Sequence, residues 1–294
     1  MRERSEHMAA ERERSEHMAA AVATTIDRFH GVEPGPEAVA GALATQRARM
    51  LELFRTFDEH QWRAATRCSV WTVQDVARHL VDVANLDSAL QRGEGPRTPD
   101  GRIDPRNDPA TWLAESDGQT PAETVAAFEV AAEAERAAFE RRIRDGDDEL
   151  LPGPYGPLHW AALGAHLFWD AWLHERDVVV PLGLPHEPTL AENRLAALYA
   201  LTVSSTVPTF FGSTLTFSIE LTSSAPGVYV IDASAESTRV WFTGTNGDAK
   251  LRADLEPLLD SLAGRGADVI DVVDGPADVI EPLTLLRDFL LPTD

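Results

Sequence analysis

The segment from Leu158 to Gly183 constrains this chain more than any other. It is apolar along most of its length, has no proline before Pro181, and is too polar to span a bilayer. It reads as one long helix with a buried face. Late in it lies WDAWLHERD, Trp169–Asp177. Positions four apart share a helical face, about 6 Å along the axis. Asp170 and His174 therefore point along the stripe that carries Leu163, Leu167 and Val178. A carboxylate and an imidazole in an apolar interior are costly unless each finds a partner. A metal ion is one partner that serves both.

A second buried imidazole is predicted upstream. In WTVQDVARHLVDVANLDSAL, Thr72 is a good N-cap, Asp75 sits where a capping box needs a carboxylate, and Trp71 with Val76 can form a hydrophobic staple. The helix so specified buries Val76, His79, Leu80, Val83 and Leu86. His79, Asp170 and His174 are thus three N/O donors on facing helices, the pattern of a catalytic zinc site with a fourth position left to water. Spacing by itself leaves another reading open, in which His79 is a hydrogen-bonded core residue and Asp170 only orients His174. His166 extends the ladder to i, i+4, i+8, about 12 Å from His174, so the three cannot share one ion. A centre built from His166, Asp170 and His79 is the alternative. His159 and His186 sit at helix edges and are expected to face water. Asp177 either partners the His174 imidazole or takes a helix-end hydrogen bond. Cys68, just before the Trp71 cap, could approach the mouth of the site, but it has no nearby base in sequence and plain packing is the favoured reading.

The rest of the chain frames these residues. Residues 1–32 form a tail, expected to be mobile or helical, that opens with a duplicated decapeptide, MRERSEHMAA then ERERSEHMAA. Its His7 and His17 are weak metal candidates. A four-helix bundle is expected over about 33–187. Its helices run over Glu37–Phe57, from Trp71 to about Leu90, from Thr120 to Arg144, and through the segment already described. A loop at Gln91–Gln119 carries a short helix near Pro109–Ala114, and Asp145–Pro157 breaks the third helix. A smaller α+β domain is expected at 190–294. It has a helix at Ala191–Thr206 and strands at Leu215–Leu221, Val228–Ala233 and Arg239–Thr243. A turn at Asn246-Gly247 leads to a helix over Asp248–Ala263, followed by a strand at Ala267–Val273 and a helix at Ala277–Leu290.

Composition narrows the function. Asp and Glu outnumber Lys and Arg by 48 to 26, a net charge of −22, which repels nucleic acid and anionic membrane. One cysteine excludes an internal disulfide and a cysteine-cluster metal site. The N-terminus lacks the apolar run of a signal peptide and no segment is long and apolar enough for a membrane span, so the expected compartment is the cytoplasm. There is no phosphate loop, dinucleotide fingerprint or H-E-x-x-H. Oligomeric state is not readable.

WTVQDVARHL from Trp71 and HLFWDAWLHERDVVVPLG from His166 together resemble the DinB-like metal-binding family and, within it, the mycothiol-dependent maleylpyruvate isomerase group. The resemblance runs from about residue 37 to the C-terminal strand and helix. It implies an α+β two-domain protein, a DinB-like four-helix bundle followed by a small sterol-carrier-protein-like domain. It places the family's metal ligands on His79, Asp170 and His174. The characterised isomerase has glutamate at the position of Asp170; aspartate is one methylene shorter, so the ion sits nearer the fourth helix or moves toward His79. The implied cofactors are a divalent metal, Zn2+ first, and mycothiol or a similar thiol as cosubstrate. The implied activity is isomerase or thiol transferase, adding the thiol to an activated double bond of a small molecule. An arginine of the second domain is expected to meet anionic groups; Arg239 and Arg287 are candidates, with neither assigned. Two other readings are a metal-dependent hydrolase and a non-catalytic small-molecule-binding accessory protein.

Overall fold

Among the described residues, six helices carry the first part of the chain, and the four long ones stand where the hydrophobic spacing predicts. They are α1 (Pro36–Thr56), the single turn α2 (Glu59–Trp62), α3 (Val73–Gln91), the short α4 (Asp108–Glu115), α5 (Pro121–Asp145) and α6 (Trp160–Val179). The structure, a computed structural model, describes residues 35–290 except 97, 99–100, 102, 105–107, 147, 155, 245–248, 268 and 275–278. The duplicated tail with His7 and His17, and the Asn246-Gly247 turn, lie outside the described residues.

Local chemistry sets the helix starts. The Thr72 hydroxyl accepts the Asp75 N–H at 3.3 Å while the Asp75 carboxylate accepts the Thr72 N–H at 2.8 Å. Thr120 and Glu123 repeat the same box at the head of α5, and Gly146 ends that helix at a φ of 66°. Trp71 and Val76 belong to one apolar cluster, as a staple requires.

The stretch expected only to break the third helix has structure of its own. β1 (Leu150–Gly153) and β2 (Gly156–His159) pair as an antiparallel hairpin that runs straight into α6. His159 closes the join: its Nδ1 accepts the Ala161 N–H at 3.2 Å, and the residue is buried. The expectation that His159 faces water is therefore wrong, because the hairpin covers the helix start. His186 departs from expectation too. The chain after α6 folds back so that its ring packs edge-on against Trp172, with centroids 4.9 Å apart, and lies 3.9 Å from Glu175. Burial, with Arg176 and Arg49 nearby, pushes the His186 pKa down to about 3.

The unfolded chain takes up that proton at a pKa of about 6.5. His186 therefore contributes stability above that pH, and the contribution drains away as pH falls from there toward the folded value, by at most about 1.4 kcal/mol per pH unit. Urea midpoints at pH 7 and 5 should lie closer together in His186→Phe than in the wild type; identical pH slopes would show that His186 does not carry the effect.

The four long helices interlock closely. A Cβ added at Gly164 of α6 would lie 2.5 Å from Cζ of Phe139 on α5 and 3.1 Å from Val39 on α1. Gly164→Ala is expected to cost about 1–3 kcal/mol through overpacking. Thermal melting should show it as a lower midpoint; an unchanged one would mean that Phe139 can swing aside.

Past the non-helical stretch 180–189, α7 (Leu190–Thr206) and a 3-10 turn (Val207–Phe211) lead into a five-stranded sheet. Its strands are β3 (Leu215–Leu221), β4 (Gly227–Ala233), β5 (Thr238–Gly244), β6 (Leu251–Ala253) and β7 (Asp271–Val272), in the order β5-β4-β3-β6-β7. Only the β3–β6 pairing is parallel. Period-two alternation turns Leu215, Phe217, Ile219 and Leu221 inward. The expected helix over Asp248–Ala263 is shorter than its pattern: Leu251–Ala253 pairs with β3 instead, and helix begins only at α8 (Leu255–Leu262). A three-residue strand has no local signal; its hydrogen bonds come from a partner some thirty residues away. The strand expected over Ala267–Val273 narrows to β7, and α9 (Ile280–Leu290) follows.

Almost every residue of α7 is buried, because it packs against α6 on one side and against the sheet, α8 and α9 on the other. The larger apolar cluster accordingly runs from Val39 of α1 through Trp172 of α6 and Tyr199 of α7 to Leu286 of α9. A smaller one, around Phe54, Trp62, Phe128 and Val178, closes the end of the bundle beside His79 and His174. Among the described residues, no helix is long and apolar enough to cross a membrane.

Candidate metal centre

The capped start of α3 sets the rotation of that helix, and with it the inward aim of His79. On α6, Asp170 and His174 stack one turn apart on the face toward α3. The three meet. His79 Nε2 lies 3.7 Å from one Asp170 oxygen and His174 Nε2 lies 3.7 Å from the other. One donor atom from each residue falls within 4.8 Å of the other two. Ligand bonds near 2 Å place donors around one ion about 3–4 Å apart, so this set closes on a cation with small adjustments. The shorter aspartate does not lean to one side: its two oxygens are equidistant from the two imidazoles.

Packing holds the rings. The two imidazoles stand at 76° with centroids 4.9 Å apart. Trp71, the residue before the cap, lies against both, at 4.9 Å from His79 and 5.7 Å from His174. The histidine side chains are 6% exposed whereas that of Asp170 is 28% exposed, so the trio is open to solvent on the aspartate's side.

The electrostatics suit a cation. Burial would raise the Asp170 pKa, but His174 and His79 outweigh it and hold the carboxyl well below the usual range. Burial lowers the His79 pKa, partly offset by Asp170, which favours the neutral ring. Burial also acts to lower His174, yet Asp170, Cys68 and Asp177 together push it up to about 10. That ring favours the protonated form, and a metal ligand at this position would have to give up one proton.

Behind His174 lies Asp177, in the first of the two roles its position allowed. Its Oδ2 accepts from His174 Nδ1 at 3.1 Å. A proton on Nδ1 leaves Nε2 as the nitrogen turned toward Asp170. Cys68 is also here, against the favoured reading of plain packing and in keeping with the alternative that it approaches the site. Its Sγ donates to Asp177 Oδ2 at 3.1 Å and lies 3.7 Å from His174 Nδ1. The loop before α3 brings it: Thr66 N–H donates to Trp71 O and Arg67 N–H to the carbonyl of Asp177, which lays residues 66–68 along the end of α6. Cys68, His174 and Asp177 form a second trio whose donor atoms lie within 4.8 Å of one another. Arg67 and Arg265 both donate to that carboxylate, at 3.1 and 2.9 Å, and their charges repel a cation. The trio of His79, Asp170 and His174 is the better cation site.

The alternative centre through His166 does not form. His166 Nδ1 lies 2.9 Å from the Tyr199 hydroxyl, and burial pushes its pKa down to about 4. No spacing in the sequence pointed to Arg67 or Arg265, because their partner is reached only through the tertiary fold. Of the two arginine candidates, Arg239 is exposed on β5 opposite Asp232, and Arg287 lies on α9.

Residues 43–179 match the family model of the mycothiol maleylpyruvate isomerase N-terminal domain. The match bears out the resemblance carried by WTVQDVARHL and HLFWDAWLHERD. No curated protein matches the chain. Two solved structures share its fold at 13% identity, each over 84% of this chain and 97% of the other. One is mycothiol-dependent maleylpyruvate isomerase, at a TM-score of 0.52, and the other is a histidine-to-alanine mutant of that enzyme, at 0.56. The likeness extends over both parts, the helical one and the sheet, in keeping with an α+β two-domain architecture.

Proposed function

We propose that this chain is a metal-dependent enzyme of the mycothiol-dependent isomerase or thiol-transferase type. His79, Asp170 and His174 hold a divalent ion, Zn2+ by donor type, and the substrate is a small molecule with an activated double bond. The observation that carries the reading is the convergence of three donors from two helices inside a segment that matches this family. A divalent ion bound there lowers the pKa of a coordinated thiol and makes a thiolate available at neutral pH.

The chain's own residues supply the rest. Asp177 fixes the His174 tautomer, Trp71 shields one side of both imidazoles from water, and the exposed edge of Asp170 leaves the approach open. In the overall chemistry, a thiol adds across the double bond, forming a C–S bond and turning the former double bond into a rotatable single bond. Expulsion of the thiol after rotation gives the geometric isomer; retention gives the thioether of a transferase.

Protein purified without a histidine tag or chelating resin should carry stoichiometric metal on elemental analysis. Conversion of an activated alkene should then need both the metal and a low-molecular-weight thiol. Turnover that proceeds without thiol would favour the hydrolase reading, and a metal-free preparation with an occupied cleft would favour the accessory binder. Asp170→Asn should keep the fold and weaken the ion; unfolding with unchanged metal would make Asp170 a structural residue.

A further inference from the structure

We infer that the second part of the chain completes the metal centre without supplying a ligand: Arg265 and Asp260 are positioning residues that lock His174 through Asp177. The inference rests on the metal reading above and extends it to residues outside the matched segment.

Asp177 is fully buried, and four side chains donate to its carboxylate. Arg67 Nε reaches Oδ1 at 3.1 Å, and Cys68 Sγ and His174 Nδ1 each reach Oδ2 at 3.1 Å. Arg265 Nε, just past the end of α8, reaches both oxygens at 2.9 Å. Asp260 of α8 adds a second tier. It takes Arg67 Nη1 and Nη2 at 2.7 and 2.9 Å, and Arg176 Nε and Nη2 at 3.1 and 2.7 Å. Of the two guanidiniums on Asp177, one therefore belongs to the second part of the chain and the other is aimed by it.

The geometry makes this a device for orientation. A buried carboxylate served only by a thiol and an imidazole would be poorly compensated and free to turn about its Cβ–Cγ bond. Two charged donors hold it in one plane. That plane fixes the Nδ1–H of His174 and, with it, the direction in which Nε2 faces Asp170. Ring orientation in α6 thus depends on α8 being docked.

The test uses the full-length chain. Arg265→Gln should weaken metal binding about ten- to a hundredfold, the usual cost of losing an outer partner, in competition with a chromophoric chelator. On metal-free protein, the hydrogen-bonded Nδ1–H proton resonance of His174, assigned with His174→Gln, should broaden or vanish in Arg265→Gln. Asp260→Asn should move both readouts the same way and by less, while Arg265→Lys should restore part of each. Leu258→Ala, buried on the same helix, should lower the melting temperature yet leave both readouts near wild type. The inference fails if Arg265→Gln keeps wild-type metal affinity and an unchanged His174 resonance, or if Leu258→Ala weakens metal as much. Should the wild type bind no metal, the metal reading is lost and the resonance alone decides: its persistence in Arg265→Gln overturns the positioning role, its loss upholds it.

Discussion

Alanine at His79 is expected to weaken divalent-metal binding by more than about a hundredfold, beyond what loss of an outer partner alone costs. His79 is the only one of the three donors that comes from α3, so its removal leaves two donors on a single helix turn, too few to enclose an ion. The fold should survive. His79 Nδ1 makes no hydrogen bond among the described residues, and its Nε2 faces Asp170 at 3.7 Å, a carboxylate that stays 28% exposed. Asp170 also keeps its electrostatic partner His174, 3.7 Å away. Chelator competition together with far-ultraviolet circular dichroism separates the two effects. Wild-type metal affinity in a folded His79→Ala protein would remove the ligand assignment, and a collapse of helicity would mean that His79 is structural.

Arg47→Leu should give the largest loss of stability. Arg47 of α1 and Glu135 of α5 are 2% and 1% exposed, and they pair through two bonds of 3.0 and 3.1 Å. Asp87 of α3 is fully buried in the same layer, and burial together with Glu135 raises its pKa well above the usual range. Without the guanidinium, two buried acids face each other with no cation between them. Breaking such a pair costs about 3–5 kcal/mol, because a charge is left uncompensated in the interior.

Urea denaturation at pH 7.5 measures the loss. The double replacement Arg47→Met with Glu135→Leu should recover most of the stability, since removing both partners leaves no orphan. A single variant as stable as the wild type would show that water reaches this layer.

Much of the fold was legible because its signals are local. A capping box acts over three residues, as Thr72 and Asp75 show, and the box at Thr120 and Glu123 set α5 in the same way. Strand β3 was readable to the residue from its β-branched, partly alternating pattern. Where the pattern needed a distant partner it misled. β6 looked helical because leucine and alanine favour helix when nothing pairs with them. His186 looked exposed because it follows a helix end, yet the returning chain buries it against Trp172.

The sequence by itself determined which side chains could become a metal site: helical period put Asp170 and His174 on one stripe, and a local cap aimed His79 into the interior. Tertiary structure alone decided that α3 and α6 lie side by side so that those stripes meet. It also decided that Cys68 would stand behind His174, that Arg265 would reach Asp177, and that Arg47 and Glu135 would pair. The physical reason is reach. A hydrogen-bonded cap and a 3.6-residue period act over a few bonds of chain, whereas Cys68 and His174 are 106 positions apart and Arg265 and Asp177 are 88 apart. Contacts at that distance exist only once the whole apolar interior has closed around them.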